Sequence, residues 1–299
     1  QSAFRVFSVL NSRGLDLLPT DIIKSDIIGN IKSPDKQDDV TERWEELEVQ
    51  TGRDGFAELF GHIRMIFAYY NARRTLLEEF REQVIKKYES PETLMSTVVE
   101  PFAEAYLIAK KCQYLSTTNA ADVNALLKWL NRIENSDWLP SAIKFLATQG
   151  KNADYVLWFF RKLERLASFM HICGYDVNQR IERYASVLAD LEGAHSMESP
   201  ISAVQLTDEE KSKMLQVVDG DIYLMTARRR NHLLLRLDAF VGDGAATYDN
   251  GLLTIEHVLP QTVDLASDWQ KLWPDEALRQ RWVHRLANLV PLTQKRNSQ

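Results

Sequence analysis

From residue 54 to residue 240 apolar side chains recur every three or four positions, and a chain written with that period folds as packed helices. In 54–70 the stripe is Phe56, Leu59, Phe60, Ile63, Ile66, Phe67 and Tyr70, with Asp54 placed to cap its start. In 74–88 it continues through Leu76, Leu77, Phe80, Val84 and Ile85 and ends near Ser90-Pro91. The same spacing predicts helices at 92–112, 120–134, 140–148, 153–173, 176–191, 207–218 and 222–240. The helical domain spans 35–241, and the aromatic cluster Trp158, Phe159 and Phe160 reads as its core packing. Aromatic residues at 10% and charged residues at 26% exclude a wholly disordered chain and a low-complexity fibre. No apolar run approaches the roughly 18 residues of a membrane span, so a membrane partner is not expected.

The two ends follow a different pattern. Near the start, apolar residues lead into the turn Asn11-Ser12-Arg13-Gly14, and Thr20 is placed to cap a helix running to Ile28. Beginning at Gln1 with neither Met nor a charged-then-apolar leader, the chain reads as an internal piece of a longer protein. After residue 241 a Gly- and Asp-containing linker precedes a β-like run, Leu252 to Leu259. Trp269 and Trp273 are placed in a loop closed by Pro274, and a helix is expected from about 275 to 286. Cys112 and Cys173 have no metal or redox spacing, which points to a reducing cytoplasm.

The net charge of −6 argues at first against nucleic acid. Residues 35–58, however, hold nine carboxylates against three cations and account for the whole excess. Residues 278–299 carry Arg279, Arg281, Arg285, Lys295 and Arg296 with no acid, a patch suited to holding DNA. Arg228, Arg229, Arg230 and Arg236 admit two readings, contact with backbone phosphates or, more ordinarily, a solvated helical face. His62, His171, His195 and His232 lack ligand spacing and read as structural or surface residues. His284 reads first as a half-buried packing residue and second as an auxiliary donor.

Chemistry concentrates at 255–297. Glu256-His257 closes an apolar strand, where adjacent side chains point to opposite faces. One can then reach a metal while the other addresses substrate. A histidine near its reference pKa can take a proton from water. Oxygen donors such as Glu256 or the Asn297 amide suit Mg²⁺ or Mn²⁺.

The run Ile255-Glu256-His257-Val258-Leu259-Pro260-Gln261, then Trp269, then Trp282 to Leu292 with Asn288, then Asn297-Ser298, resembles the C-terminal nuclease domain of GmrSD-type restriction endonucleases. That resemblance implies a variant of the HNH nucleases and a fold that is mainly α, a multi-helix body with a small C-terminal ββα-metal α+β module over 242–299. It implies His257 as general base, Asn288 as the residue orienting loop and histidine, and Glu256 and Asn297 as metal ligands. Ala287 departs from the glycine usual in that family and puts the loop geometry in question. Residues 4–24, Phe4 to Leu17 and then Thr20-Asp21-Ile22-Ile23-Lys24, resemble the end of the family's ParB/sulfiredoxin-like domain, assigned here to 1–34. Asn11, Arg13 and Gly14 would then meet a nucleoside triphosphate, and a helix-ending turn is the plainer alternative. The function implied is a metal-dependent DNA endonuclease of bacterial defence, nucleotide-regulated and acting on foreign or modified DNA, as a homodimer or with a partner subunit. The alternative is a helical interaction or regulatory protein whose nuclease-like module is inactive.

Overall fold

The computed structural model describes residues 18–193, 196–242 and 253–293. The chain divides into two compact units, one of residues up to Glu164 with Asp176–Gln205, the other of Arg165–Tyr175 with Leu206 onward. The division read from sequence at 241/242 places residues 165–175 and 206–241 with the helical domain, whereas here they belong to the second unit.

The first unit is helical. It holds α1 (Pro19–Ile28), α2 (Pro34–Thr51), α3 (Arg53–Ala68), α4 (Leu76–Gln83), α5 (Pro91–Leu94), α6 (Glu100–Lys111), α7 (Ala120–Asn131), α8 (Leu139–Gln149), the first turns of α9 (Ala153–Ile172) and α10 (Val177–Asp190). Helix α3 buries the expected stripe of Phe56, Leu59, Phe60, Ile63 and Ile66, and Trp44 of α2 meets Phe56 edge-on at 5.2 Å. Two helix starts and one helix end differ in detail from the sequence reading. Helix α1 begins at Pro19, whose fixed φ and missing N–H suit a first helical position, so Thr20 is buried in the first turn rather than capping it. Helix α3 begins at Arg53 after Gly52 at φ +74°, which leaves Asp54 inside the first turn. In the segment 74–88 the helix stops at Gln83 and a 3₁₀ turn covers Ile85–Lys87.

The second unit contains the end of α9, α11 (Asp208–Val218), a 3₁₀ turn at Ile222–Leu224, α12 (Ala227–Val241), β1 (Leu253–His257), α13 (Asp268–Leu272), α14 (Glu276–Val283), a 3₁₀ turn at Leu286–Asn288 and β2 (Leu289–Thr293). Thr207 caps α11 through a reciprocal pair of bonds with Glu210. The helix expected over 222–240 is interrupted, because Met225 and Thr226 are extended and Ile222 drops into the core beside Ile172, Leu233, Leu234 and Leu289. The arginine cluster on α12 is partly structural. Arg229 donates to the Ile172 carbonyl at the end of α9, and its guanidinium lies 3.1 Å from the point a β carbon on Gly174 (φ +72°) would occupy. His232 is buried, with Nε2 3.0 Å from the Ser168 hydroxyl.

Strands β1 and β2 form a two-stranded antiparallel ladder in which Leu253 faces Thr293, Ile255 faces Pro291 and His257 faces Leu289. The helix that would complete a ββα module would follow β2 on residues 294–299, outside the described residues. Trp269 is helical rather than in a loop, since Ser267 caps α13, and α14 is shorter than expected, capped by Asp275 and ended at Val283. Among the described residues no helix is long and apolar enough to cross a membrane.

One buried ion pair anchors the first unit. Glu79 is 1% exposed and its carboxylate accepts from Arg64 of α3 and from the backbone N–H groups of Arg73 and Arg74, at 2.8 and 2.9 Å. Removing the carboxylate strands a guanidinium that is 5% exposed. Glu79→Ala is expected to cost about 3–5 kcal/mol in urea unfolding. A loss below about 1 kcal/mol would show that Arg64 finds water or another partner.

Candidate active site

His257 and Asn288 are brought together by the ladder. Asn288 is 7% exposed and sits in the 3₁₀ turn just before β2. Its Oδ1 accepts from Leu259 N–H at 2.6 Å, and its Nδ2 donates to the carbonyls of Leu259 (3.0 Å) and Val283 (2.8 Å). Its own carbonyl accepts from Val258 N–H at 3.0 Å. One side chain therefore pairs with both main-chain groups of Leu259, in the segment leaving β1, and with the end of α14. Ala287 occupies the same turn without strain, because positive φ among non-glycine described residues is confined to Tyr69, Cys112 and Asn119. The glycine missing at 287 is not required by this backbone.

His257 lies on the face of β1 shared with Ile255, which packs on the core of the second unit. Its Nδ1 is 3.3 Å from Nε2 of the exposed Gln261, whereas its own Nε2 is buried without a hydrogen-bond partner among the described residues. Two aromatic side chains flank the ring. Tyr223 meets it at a centroid distance of 4.2 Å, His284 lies 5.7 Å away, and Tyr223 and His284 are nearly parallel at 5.5 Å. The Arg230 guanidinium lies 4.7 Å over Tyr223. Burial, then the proximity of His284, pushes the His257 imidazole below its ordinary pKa, with Glu256 opposing and Arg230 adding to the shift. The neutral ring, which has a lone pair to offer, is the favoured form.

Glu256 is half-buried and alternates to the opposite face from His257, across the ladder from Val290. Among the described residues no group of three or more His, Cys, Asp or Glu is placed to hold a metal. One carboxylate suits a cation that keeps most of its waters, as Mg²⁺ does, rather than a caged ion. Asn297, Lys295 and Arg296 lie outside the described residues, as do Asn11, Arg13 and Gly14.

The basic patch is less uniform in space than along the chain. Arg279 donates to the Trp273 carbonyl, and Arg285 sits 3.4 Å from Asp219 and 3.7 Å from Asp221. Arg281 is exposed. The patch thus meets two carboxylates from the segment between α11 and the 3₁₀ turn, and sequence reasoning counted neither. Sequence reasoning also did not place Tyr223 and Arg230 beside His257. The one hint in the sequence was an aromatic residue in an acid-free stretch, 222–236, that already held the arginine cluster.

Truncating Asn288 to Ala leaves a buried N–H and two buried carbonyls without partners, each costing about 1–3 kcal/mol. The Leu259 amide should then lose its hydrogen-exchange protection, well before global unfolding. Unchanged protection at Leu259 would refute the side-chain lock.

No curated protein and no solved structure matches the chain. A family model does: residues 208–299 match that of the C-terminal domain of GmrSD restriction endonucleases, a span that takes in α11, α12, both strands and every side chain of the His257 cluster.

Proposed function

We propose that the C-terminal unit is a metal-dependent DNA endonuclease in which His257 is the general base. The observation that carries this reading is the Asn288 lock, which holds the main chain of Leu259, two residues beyond His257, while Nδ1 is the ring nitrogen on the accessible side. A water taking the place of the Gln261 amide would lie within reach of that lone pair and give up its proton as it attacks phosphorus. The match of residues 208–299 to a restriction endonuclease domain supports DNA as the substrate. Glu256, with Asn297, would hold Mg²⁺ or Mn²⁺, and such an ion would supply positive charge for the scissile phosphate. Of Arg279, Arg281 and Arg285 only Arg281 is exposed; it would meet backbone phosphates, and Arg279, Arg285, Lys295 and Arg296 would extend the contact.

The wider reading is a restriction enzyme of phage defence, working in the cytoplasm on foreign or modified DNA. It would be regulated through a nucleotide held at Asn11, Arg13 and Gly14, as a homodimer or with a partner subunit. One observation favours the alternative of an interaction protein with an unused nuclease-like module: Arg279 and Arg285 already engage groups of the protein.

Plasmid nicking separates the two readings. His257→Ala should lower the nicking rate by about a hundredfold to ten-thousandfold while DNA affinity, read by gel shift, stays near wild type. Unimpaired cleavage in that variant would sink the base assignment. Nicking should also require Mg²⁺ or Mn²⁺ and stop in EDTA. Cleavage that persists in EDTA would rule out the metal, and no cleavage under any condition, with protein binding preserved, would favour the interaction reading.

A further inference from the structure

Asn288 fixes the backbone beyond His257 but leaves the two side-chain torsions of the imidazole unset. Aim matters for a general base, since a misplacement of about 1 Å can cost about a hundredfold in rate. A histidine ring is commonly oriented by a hydrogen bond from its second nitrogen to a carbonyl or carboxylate. That device is not seen here, because the buried Nε2 of His257 has no hydrogen-bond partner among the described residues. On the outer side only the exposed Gln261 amide reaches Nδ1, at 3.3 Å. The closest ring is Tyr223, at 4.2 Å and an interplanar angle of 64°.

Tyr223 is itself held from several directions. Its N–H donates to the His284 carbonyl at 3.1 Å, and its carbonyl accepts from Arg230 Nη1 at 2.7 Å. The Arg230 guanidinium covers the ring at 4.7 Å, within the range of a cation–π contact. The preceding residue, Ile222, is completely buried in the core that also takes Leu233, Leu234 and Leu289. The Tyr223 ring is thus referenced to the same core as the first residue of β2, which pairs with His257.

We infer that Tyr223 is a positioning residue: its ring, clamped by Arg230 and the His284 backbone, sets the orientation of the His257 imidazole. The inference rests on His257 being the base. The ring rather than the hydroxyl carries the role, since the contact with His257 is between rings.

The test uses the whole chain, nicking supercoiled plasmid with Mg²⁺, together with proton spectra of the histidine rings. Tyr223→Leu should lower kcat by about tenfold to a hundredfold with KM unchanged. Tyr223→Phe should restore most of that loss. The carbon-bound ring protons of His257, identified by their disappearance in His257→Ala, should shift in Tyr223→Leu and return in Tyr223→Phe. Wild-type kcat in Tyr223→Leu, or unmoved His257 resonances, would overturn the inference, as would failure of Tyr223→Phe to restore the rate. If Tyr223→Leu does not fold, Arg230→Gln loosens the clamp while leaving the Tyr223 ring in place. A lowered kcat with shifted His257 resonances supports the inference there, and wild-type behaviour overturns it. His257→Ala, run alongside, keeps the two ideas apart. An active His257→Ala removes the base and its positioning together, whereas an inactive one beside a wild-type Tyr223→Leu removes only the positioning.

Discussion

The second unit depends on a primary amide that has lost its water. Asn288 carries one acceptor and two donors, and all three engage main-chain groups of Leu259 and Val283. A buried amide is costly unless fully paired and highly directional once it is. The pairing closes residues 258–288 into a loop whose two ends are fixed to each other, so α13 and α14 can lie between the strands without disturbing their ladder. The same bonds explain why the backbone at 287 tolerates alanine: the amide, not a glycine turn, sets the path of the chain.

Much of this was legible from local pattern. The stripe on α3 follows directly from the spacing of Phe56, Leu59, Phe60 and Ile63, because helical burial is a property of one short segment. The segments around His257 and Asn288 stood out through the family resemblance of their neighbouring residues, and the ladder brings those two segments together. What escaped was information carried across the chain. Tyr223 and Arg230 lie more than twenty residues before His257, and tertiary contacts bring them to it: the burial of Ile222 and the bond from the Tyr223 N–H to the His284 carbonyl. The break at Met225-Thr226 was hidden for the same reason, since the helical spacing over 222–240 is good and tertiary packing overrides it. Thr20 was misread because Pro19 beside it competes for the start of the same helix.

Charge counting fails in a related way. Along the chain, residues 278–299 contain no acid, yet Arg285 faces Asp219 and Asp221. The three consecutive arginines at 228–230 looked like either solvent or phosphate contacts. For Arg229 and Arg230 the structure offers a third use, donation to the carbonyls of Ile172 and Tyr223. A planar guanidinium with several fixed donors suits such work, closing helix ends and covering aromatic faces, as well as it suits a phosphate.

The short ladder has one more consequence. A strand has a period of two, so sliding β1 by a single residue against β2 exchanges everything on its two faces. His257 and Glu256 are neighbours on such a strand, and a one-residue slip would present a carboxylate to the aromatic pocket of Tyr223 and turn the imidazole away from it. Insertions and deletions should therefore be tolerated very unevenly in this region. The long excursion between the strands can change length at its exposed turns, whereas the few residues from Ile255 to Leu259 cannot gain or lose even one.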